Sequence, residues 1–271
     1  MAQVLLTKRI EFAAAHRYHN EAWDAARNRA VFGACNNEPG HGHNYLLEVT
    51  VGGEVDGRTG MVVNLYDLKR VLKQVLEAFD HKHLNLDTPY FTRSIPTTEN
   101  LALVLWNLLA ARAEIGRLVK VRLFEDDDLC AEVTGPGPEA SLTRRYHFSA
   151  AHRLASPKLS GADSQRLFGS CLTDEGHGHN YVLHVTVCGK IHPETGMVTD
   201  LRALDAAVQD RVVRRFDHRD LNQDPDLADR AATGENLVRL VWDLLVKALP
   251  AGRLEKVGLA ETRDTYFEYA G

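Results

Sequence analysis

Between residues 46 and 51 the chain alternates. Leu47, Val49 and Val51 fall on one side of an extended segment, and Leu46, Glu48 and Thr50 on the other; a period of two predicts a strand. The stretch VLLTKRIEFAAAHR, 4–17, reads the same way, so two strands open the chain. The period then changes. Leu65, Leu68, Val71, Leu72, Val75, Leu76 and Phe79 recur at steps of three and four, the mark of a helix with one apolar face. A second helix is expected after IPTTEN, with Pro96 and the threonines at its start and Leu101, Leu105, Leu108 and Leu109 along it. VKVRLFED and LCAEVTG read as two closing strands, which makes the order ββααββ.

The whole pattern then repeats. His16 and His152, Cys35 and Cys171, His41 and His177, and His43 and His179 each stand 136 residues apart. The interval holds at TGMV (59 and 195), slips by one at FDHKHLN (79) against FDHRDLN (216), and returns at Trp106 and Trp242 and at Glu125 and Glu261. Stacked solenoid repeats run at roughly 20 to 50 residues, so this interval means duplication of a whole domain. The Gly- and Pro-bearing segment TGPGPEASLTRR, 134–145, reads as the linker. The expected domains are residues 1–138 and 139–271. Each unit is small and leaves sheet edges open, so edge-to-edge association with other copies is expected.

Composition narrows the class. Of 271 residues, 44% are hydrophobic and 25% charged, ordinary for a globular chain with two modest cores. No apolar run approaches the roughly 20 residues that span a bilayer, and the start MAQVLLTKRIEF lacks a signal-peptide pattern. A cytoplasmic location with no membrane partner is the expectation. A net charge of −5 without a dense Lys/Arg block argues against nucleic acid and for a small-molecule ligand. Four scattered cysteines do not form a disulfide framework.

Eight of the 13 histidines fall into four pairs under the 136-residue shift or its one-residue slip, while residues around them have drifted: NNEPG became LTDEG and YDLKRVLK became RALDAAVQ. His41 and His43, two apart at the start of a strand, point to one face. With His16 they bring three imidazoles to one point, as His152, His177 and His179 do in the second half. Three protein ligands with a fourth position open is the catalytic zinc arrangement, whereas structural zinc sites are closed by four. A lone HxH is more often a His-rich turn; the third His and the repetition favour metal. Cys35 and Cys171 either close the site as fourth ligands or stay off the metal as reactive thiols; the reactive reading is preferred. Cys130 and Cys188, without cysteine counterparts, read as small buried hydrophobes. Asp80 with His81, and Asp217 with His218, end the first helix of each half as candidate proton-transfer pairs or simple helix-end charges. Glu125 and Glu261 sit in apolar strand ends, where a carboxylate is costly unless partnered. They are exposed edge residues or acceptors for the N–H groups of a ring ligand.

The segments FAAAHR and FSAAHR, FGACNNEPGHGHNY and FGSCLTDEGHGHNY, TGMVVNL and TGMVTDL, FDHKHLN and FDHRDLN, PTTEN and ATGEN, and the late glutamates together resemble the 6-pyruvoyltetrahydropterin synthases and the related 6-carboxytetrahydropterin synthases. The resemblance implies an α+β tunnelling fold, with ββααββ units pairing into oligomeric β-barrels, three units to a barrel and two barrels stacked. It implies one Zn2+ per unit, two per chain, on the histidines named above. Cys35 and Cys171 become catalytic thiols assisted by Asp80 and His81 and by Asp217 and His218. Glu125 and Glu261 anchor a pterin, with Thr97, Thr98 and Glu99, and in the second half Thr233 and Glu235, lining its pocket. The implied substrate is 7,8-dihydroneopterin triphosphate, and the implied assembly is a homotrimer supplying six units. Five residues between the cysteine and HGH resemble the pyruvoyl-forming branch; the carboxy-forming branch, of queuosine (deazapurine) biosynthesis, is the alternative. A non-catalytic zinc- and pterin-binding protein is a second. A zinc hydrolase is weaker, since neither HEXXH nor HXHXD is present. Gly234 for Thr98 and Asp220 for His83 depart from the first half's pattern, so a half-active chain is conceivable.

Overall fold

The computed structural model describes residues 3–172 and 176–271; Thr173–Glu175, inside the second cysteine-to-HGH loop, lie outside the described residues. The chain packs into two compact units, residues 1–143 with 188–200, and 144–187 with 201–271. Segment 188–200, which the repeat assigns to the second half, thus belongs by packing to the first unit.

In the first half β1 (Val4–His16) is followed by α1 (Ala25–Phe32), β2 (His41–Gly53), α2 (Leu65–Leu76), the two-residue β3 (Lys82–His83), α3 (Leu84–Asp87), α4 (Thr98–Ala110), β4 (Arg117–Phe124) and β5 (Leu129–Val133). Sheet order in this unit is β5-β4-β2-β1-β3. The strands and both long helices stand where the pattern predicts them. Leu68, Val71, Leu72, Val75 and Leu76 are buried along α2, each contributing about 1.5–3 kcal/mol when fully removed from water. Leu65, counted on that face, is exposed. Helix α1 was not expected: its apolar residues are too few for a stripe, and the cap of Asp24 Oδ1 on Arg27 N starts it.

The polar face of β2 is also buried. Thr50 meets Thr7 Oγ1 at 2.8 Å, and Glu48 pairs with Arg9 at 2.7 Å, so each polar group is partnered as burial requires.

The second half gives β6 (Glu139–His152), α5 (Gly161–Phe168), β7 (His177–Lys190), α6 (Leu201–Val208), α7 (Arg214–Phe216), β8 (Arg219–Asp220), α8 (Gly234–Leu245), β9 (Arg253–Ala260) and β10 (Tyr266–Tyr269). Its strand order is β10-β9-β7-β6, with β8 beside β6. Residues 209–213 between α6 and α7 form a π-turn. A π-turn absorbs one extra residue without breaking the helix, which accounts for the one-residue slip at FDHRDLN. No helix among the described residues is long and apolar enough to cross a membrane.

Candidate active site

Strand register builds the histidine trio. His16 on β1 lies opposite His41 on β2, and Ala14 lies opposite His43, so the three imidazoles share one face and Ala14 leaves room among them. Gly40, with φ of +137°, brings the chain so close to His16 that a Cβ there would stand 2.6 Å from its carbonyl oxygen. Only glycine fits that turn; Gly176 repeats the approach to His152 at 2.7 Å.

Ring centroids in the first trio are 4.6 Å (His16–His41), 5.0 Å (His16–His43) and 5.0 Å (His41–His43) apart. His16 Nδ1–H donates to Pro96 O at 3.1 Å, with Tyr45 Oη 3.0 Å away. His41 Nδ1–H donates to Asn37 Oδ1 at 3.0 Å, while Asn37 Nδ2 donates to Gly40 O. Both Nε2 atoms are therefore bare lone pairs, yet they stand 3.1 Å apart. Two acceptors at that distance repel unless a cation lies between them, and ligands at 2.0–2.1 Å around a tetrahedral ion stand roughly 3.3 Å apart. His43 Nε2 is buried and has no hydrogen-bond partner among the described residues. Burial and the two neighbouring imidazoles push His16 down to about 3, and burial and His43 lower His41, which keeps these rings neutral as metal ligands must be. The second trio repeats the design: His152 Nδ1–H donates to Ala232 O at 2.6 Å and the His152 and His177 Nε2 atoms are 3.1 Å apart. Both trios fit a metal ion by donor type and spacing.

Beside the first trio sit two buried carboxylates. Glu125 Oε2 accepts from Tyr18 Oη at 3.0 Å and Thr98 Oγ1 at 2.5 Å, and Oε1 lies 3.5 Å from His43 Nε2. Glu99 Oε1 accepts from Val198 N at 3.0 Å, and Thr97 Oγ1, the cap of α4, donates to Gly196 O at 2.5 Å. Burial pushes Glu99 up to about 7, Val198 and other donors opposing and nearby Glu125 adding to the rise. Tyr18 is raised well above its ordinary value by burial and then by Glu125, so it remains a donor. Two carboxylate acceptors with little competing water suit a flat group carrying adjacent N–H donors. A cavity of about 710 Å³ opens beside this region, lined in part by Arg17, His19, Pro39, His83, Arg93 and Glu194.

The sequence pattern of 6-pyruvoyl tetrahydropterin synthase matches residues 5–136 and again 141–271. The chain belongs to the 6-pyruvoyl tetrahydropterin synthase family. It is 43% identical over 127 residues to the human 6-pyruvoyl tetrahydrobiopterin synthase, a match covering 46% of this chain and 88% of the relative. With the Drosophila melanogaster 6-pyruvoyl tetrahydrobiopterin synthase it shares 42% over 160 residues, 58% of this chain and 95% of the relative. The solved Caenorhabditis elegans 6-pyruvoyl tetrahydropterin synthase aligns at 37% identity with a TM-score of 0.48, covering 50% of this chain and 97% of that one. As a family member the chain is an enzyme of the lyase class, and its units have the expected α+β tunnelling fold.

In this synthase-family chain the other expected residues are more dispersed. Cys35 is half-buried in the 33–36 turn, and its Sγ, like that of Cys171, lies outside the 4.8 Å grouping of ligand atoms that defines each trio. Asp80 bonds Ala13 N at 3.0 Å and His81 Nδ1 at 2.9 Å, and His81 is exposed at φ +58°. Asp217 and His218 repeat this at 3.0 Å, with Asp217 held by Ser149 N and His218 at φ +56°. Backbone N–H donation and then the adjacent imidazole lower both aspartates. Glu261 meets Tyr181 Oη at 3.3 Å, His152 at 3.8 Å and His179 at 4.0 Å. Thr233 caps α8 through Asn236 N, and Glu235 is exposed.

Tyr18, Tyr45 and the Gly196–Val198 backbone were not singled out from the sequence. Tyr18 sits two residues after His16, but its counterpart is Leu154, so the repeat gave no signal. Gly196–Val198 act through backbone atoms, which no side-chain pattern reports. His83, whose counterpart in the second half is Asp220, donates to Pro39 O at 3.1 Å and lines the cavity.

Proposed function

We propose that the chain converts 7,8-dihydroneopterin triphosphate to 6-pyruvoyltetrahydropterin and triphosphate, with Zn2+ on His16, His41 and His43. The observation that carries this reading is the juxtaposition of three converging imidazoles with the Glu125 carboxylate, 3.5 Å from His43: a metal seat adjoining an acceptor for ring N–H groups. When bound, the zinc polarises a side-chain hydroxyl and acidifies the neighbouring C–H. Glu125, its Oε2 fixed by Tyr18 and Thr98, turns Oε1 to the ring, and Glu99 offers a second acceptor. The Cys35 thiolate removes the acidified proton. Electrons released from the side chain reduce the ring, so no external oxidant or reductant is consumed, and triphosphate leaves with its bridging oxygen. An Asp–His pair supplied by a neighbouring unit, Asp80 with His81 or Asp217 with His218, relays protons; their exposure on each unit suits a role across a unit boundary. Three chains supply the six units of a stacked pair of barrels.

The test is a product assay on the zinc-loaded chain with 7,8-dihydroneopterin triphosphate. A pyruvoyl pterin and free triphosphate by mass spectrometry support the reading. A 6-carboxy pterin with acetaldehyde replaces it with the carboxy-forming reaction, and bound but unchanged substrate replaces it with a binding role.

A further inference from the structure

We infer that the two units have parted in what they bind: the first seats the bicyclic ring, while the second keeps a metal site and has lost the ring seat. This rests on the reading of the first site as a ring-binding carboxylate beside a metal.

Three substitutions carry it. Tyr18, Thr98 and Ala131 of the first half correspond to Leu154, Gly234 and Phe267 of the second. The two hydroxyls that fix Glu125 Oε2 therefore have no counterparts at Glu261. In their place Tyr181 Oη meets Glu261 at 3.3 Å, whereas its counterpart Tyr45 stands beside His16 Nδ1. The phenyl ring of Phe267 lies over Gly234 so closely that a Cβ built there would stand 2.0 Å from Cε2. Phe267 thus fills volume that the Thr98 side chain holds in the first unit, and a hydroxyl cannot be restored at 234 while Phe267 stays. The second acceptor is also placed differently within the chain: Glu99 is 1% exposed under Val198, whereas Glu235 is exposed. Another copy of the chain could cover Glu235, but it could not supply hydroxyls at 154 and 234 or move Phe267. The three metal-ligating histidines are nonetheless complete in the second unit. Meanwhile the second repeat furnishes Gly196 and Val198 to the first unit's Thr97 and Glu99, so it contributes to the first ring seat as it gives up its own.

The experiment is calorimetric titration of the zinc-loaded full chain with 7,8-dihydroneopterin, which lacks the leaving group, alongside metal content by mass spectrometry. Two zinc ions and one pterin per chain are expected, and a Tyr18→Phe, Thr98→Val double variant should weaken that single binding event at least tenfold. A Leu154→Tyr, Gly234→Thr, Phe267→Ala variant should raise the pterin count toward two. Two equal pterin sites on the native chain, or a single site indifferent to the Tyr18/Thr98 change, would overturn the inference, as would one zinc per chain. No pterin binding at all would instead overturn the ring-site reading beneath it. The native stoichiometry decides the matter even if a variant fails to fold.

Discussion

The trio of the first unit and that of the second share a 3.1 Å Nε2 separation and a 4.6 Å centroid spacing, but the carboxylates beside them do not share an environment. Glu125 is held by two hydroxyls and lies 5% exposed; Glu261 has one phenol at 3.3 Å and is half-buried. The difference teaches which parts of a site drift apart after duplication. Each trio is set by two strands and one glycine turn, so local register alone rebuilds it. The proposed ring seat draws on the end of β1, the start of α4, the β4–β5 turn and a loop from the other repeat. Four separate elements can change one at a time, and each change removes part of the seat while leaving the fold intact.

The largest expected contrast is catalytic. Cys35→Ala should lower turnover by about 10³-fold, the scale of a lost proton-transfer group, and Cys171→Ala should cost far less. Equal losses, measured as steady-state triphosphate release, would mean that both sites work and would erase the comparison.

Next comes pH. Glu99 has a folded value of about 7 against an ordinary 4.5, so between those values the folded state holds the extra proton. Its contribution therefore favours folding at low pH and is lost as pH rises from about 4.5 to 7, amounting to roughly 3 kcal/mol at about 1.36 kcal/mol per pK unit. Urea unfolding at pH 5 and at pH 7.5 should show this fall in the native chain and a flatter profile in Glu99→Gln, which keeps an acceptor for Val198 N. An identical slope in the two proteins would show that Glu99 is not the titrating group. The exposed Glu235 gives the second unit no equivalent expectation.

The smallest contrast is between the two helix caps. Thr97→Val removes both the cap on Asn100 N and the bond to Gly196 O, whereas Thr233→Val removes the cap on Asn236 N. A cap is worth about 1 kcal/mol, and a buried hydrogen bond roughly the same again. Thermal or urea melts should find Thr97→Val more destabilising by about 1 kcal/mol; equal losses would mean that the Gly196 contact adds nothing.

The sequence by itself determined the duplicated ββααββ order, the apolar faces of α2 and α4, and both imidazole trios. These depend on periodicity and on near neighbours along strands, where a period of two places His41 and His43 together without knowledge of anything distant. It pointed to Glu125 as a carboxylate in need of partners but not to those partners. Only tertiary structure decided that Tyr18 and Thr98 hold Glu125, that Val198 and Gly196 reach Glu99 and Thr97 across about a hundred residues of sequence, and that Phe267 lies over Gly234. Each is a contact between elements far apart in the chain, made through side-chain hydroxyls, through backbone atoms or through a volume exchange between a helix start and a strand. A one-dimensional pattern carries the spacing of side chains, whereas these contacts depend on where packed elements bring their surfaces together.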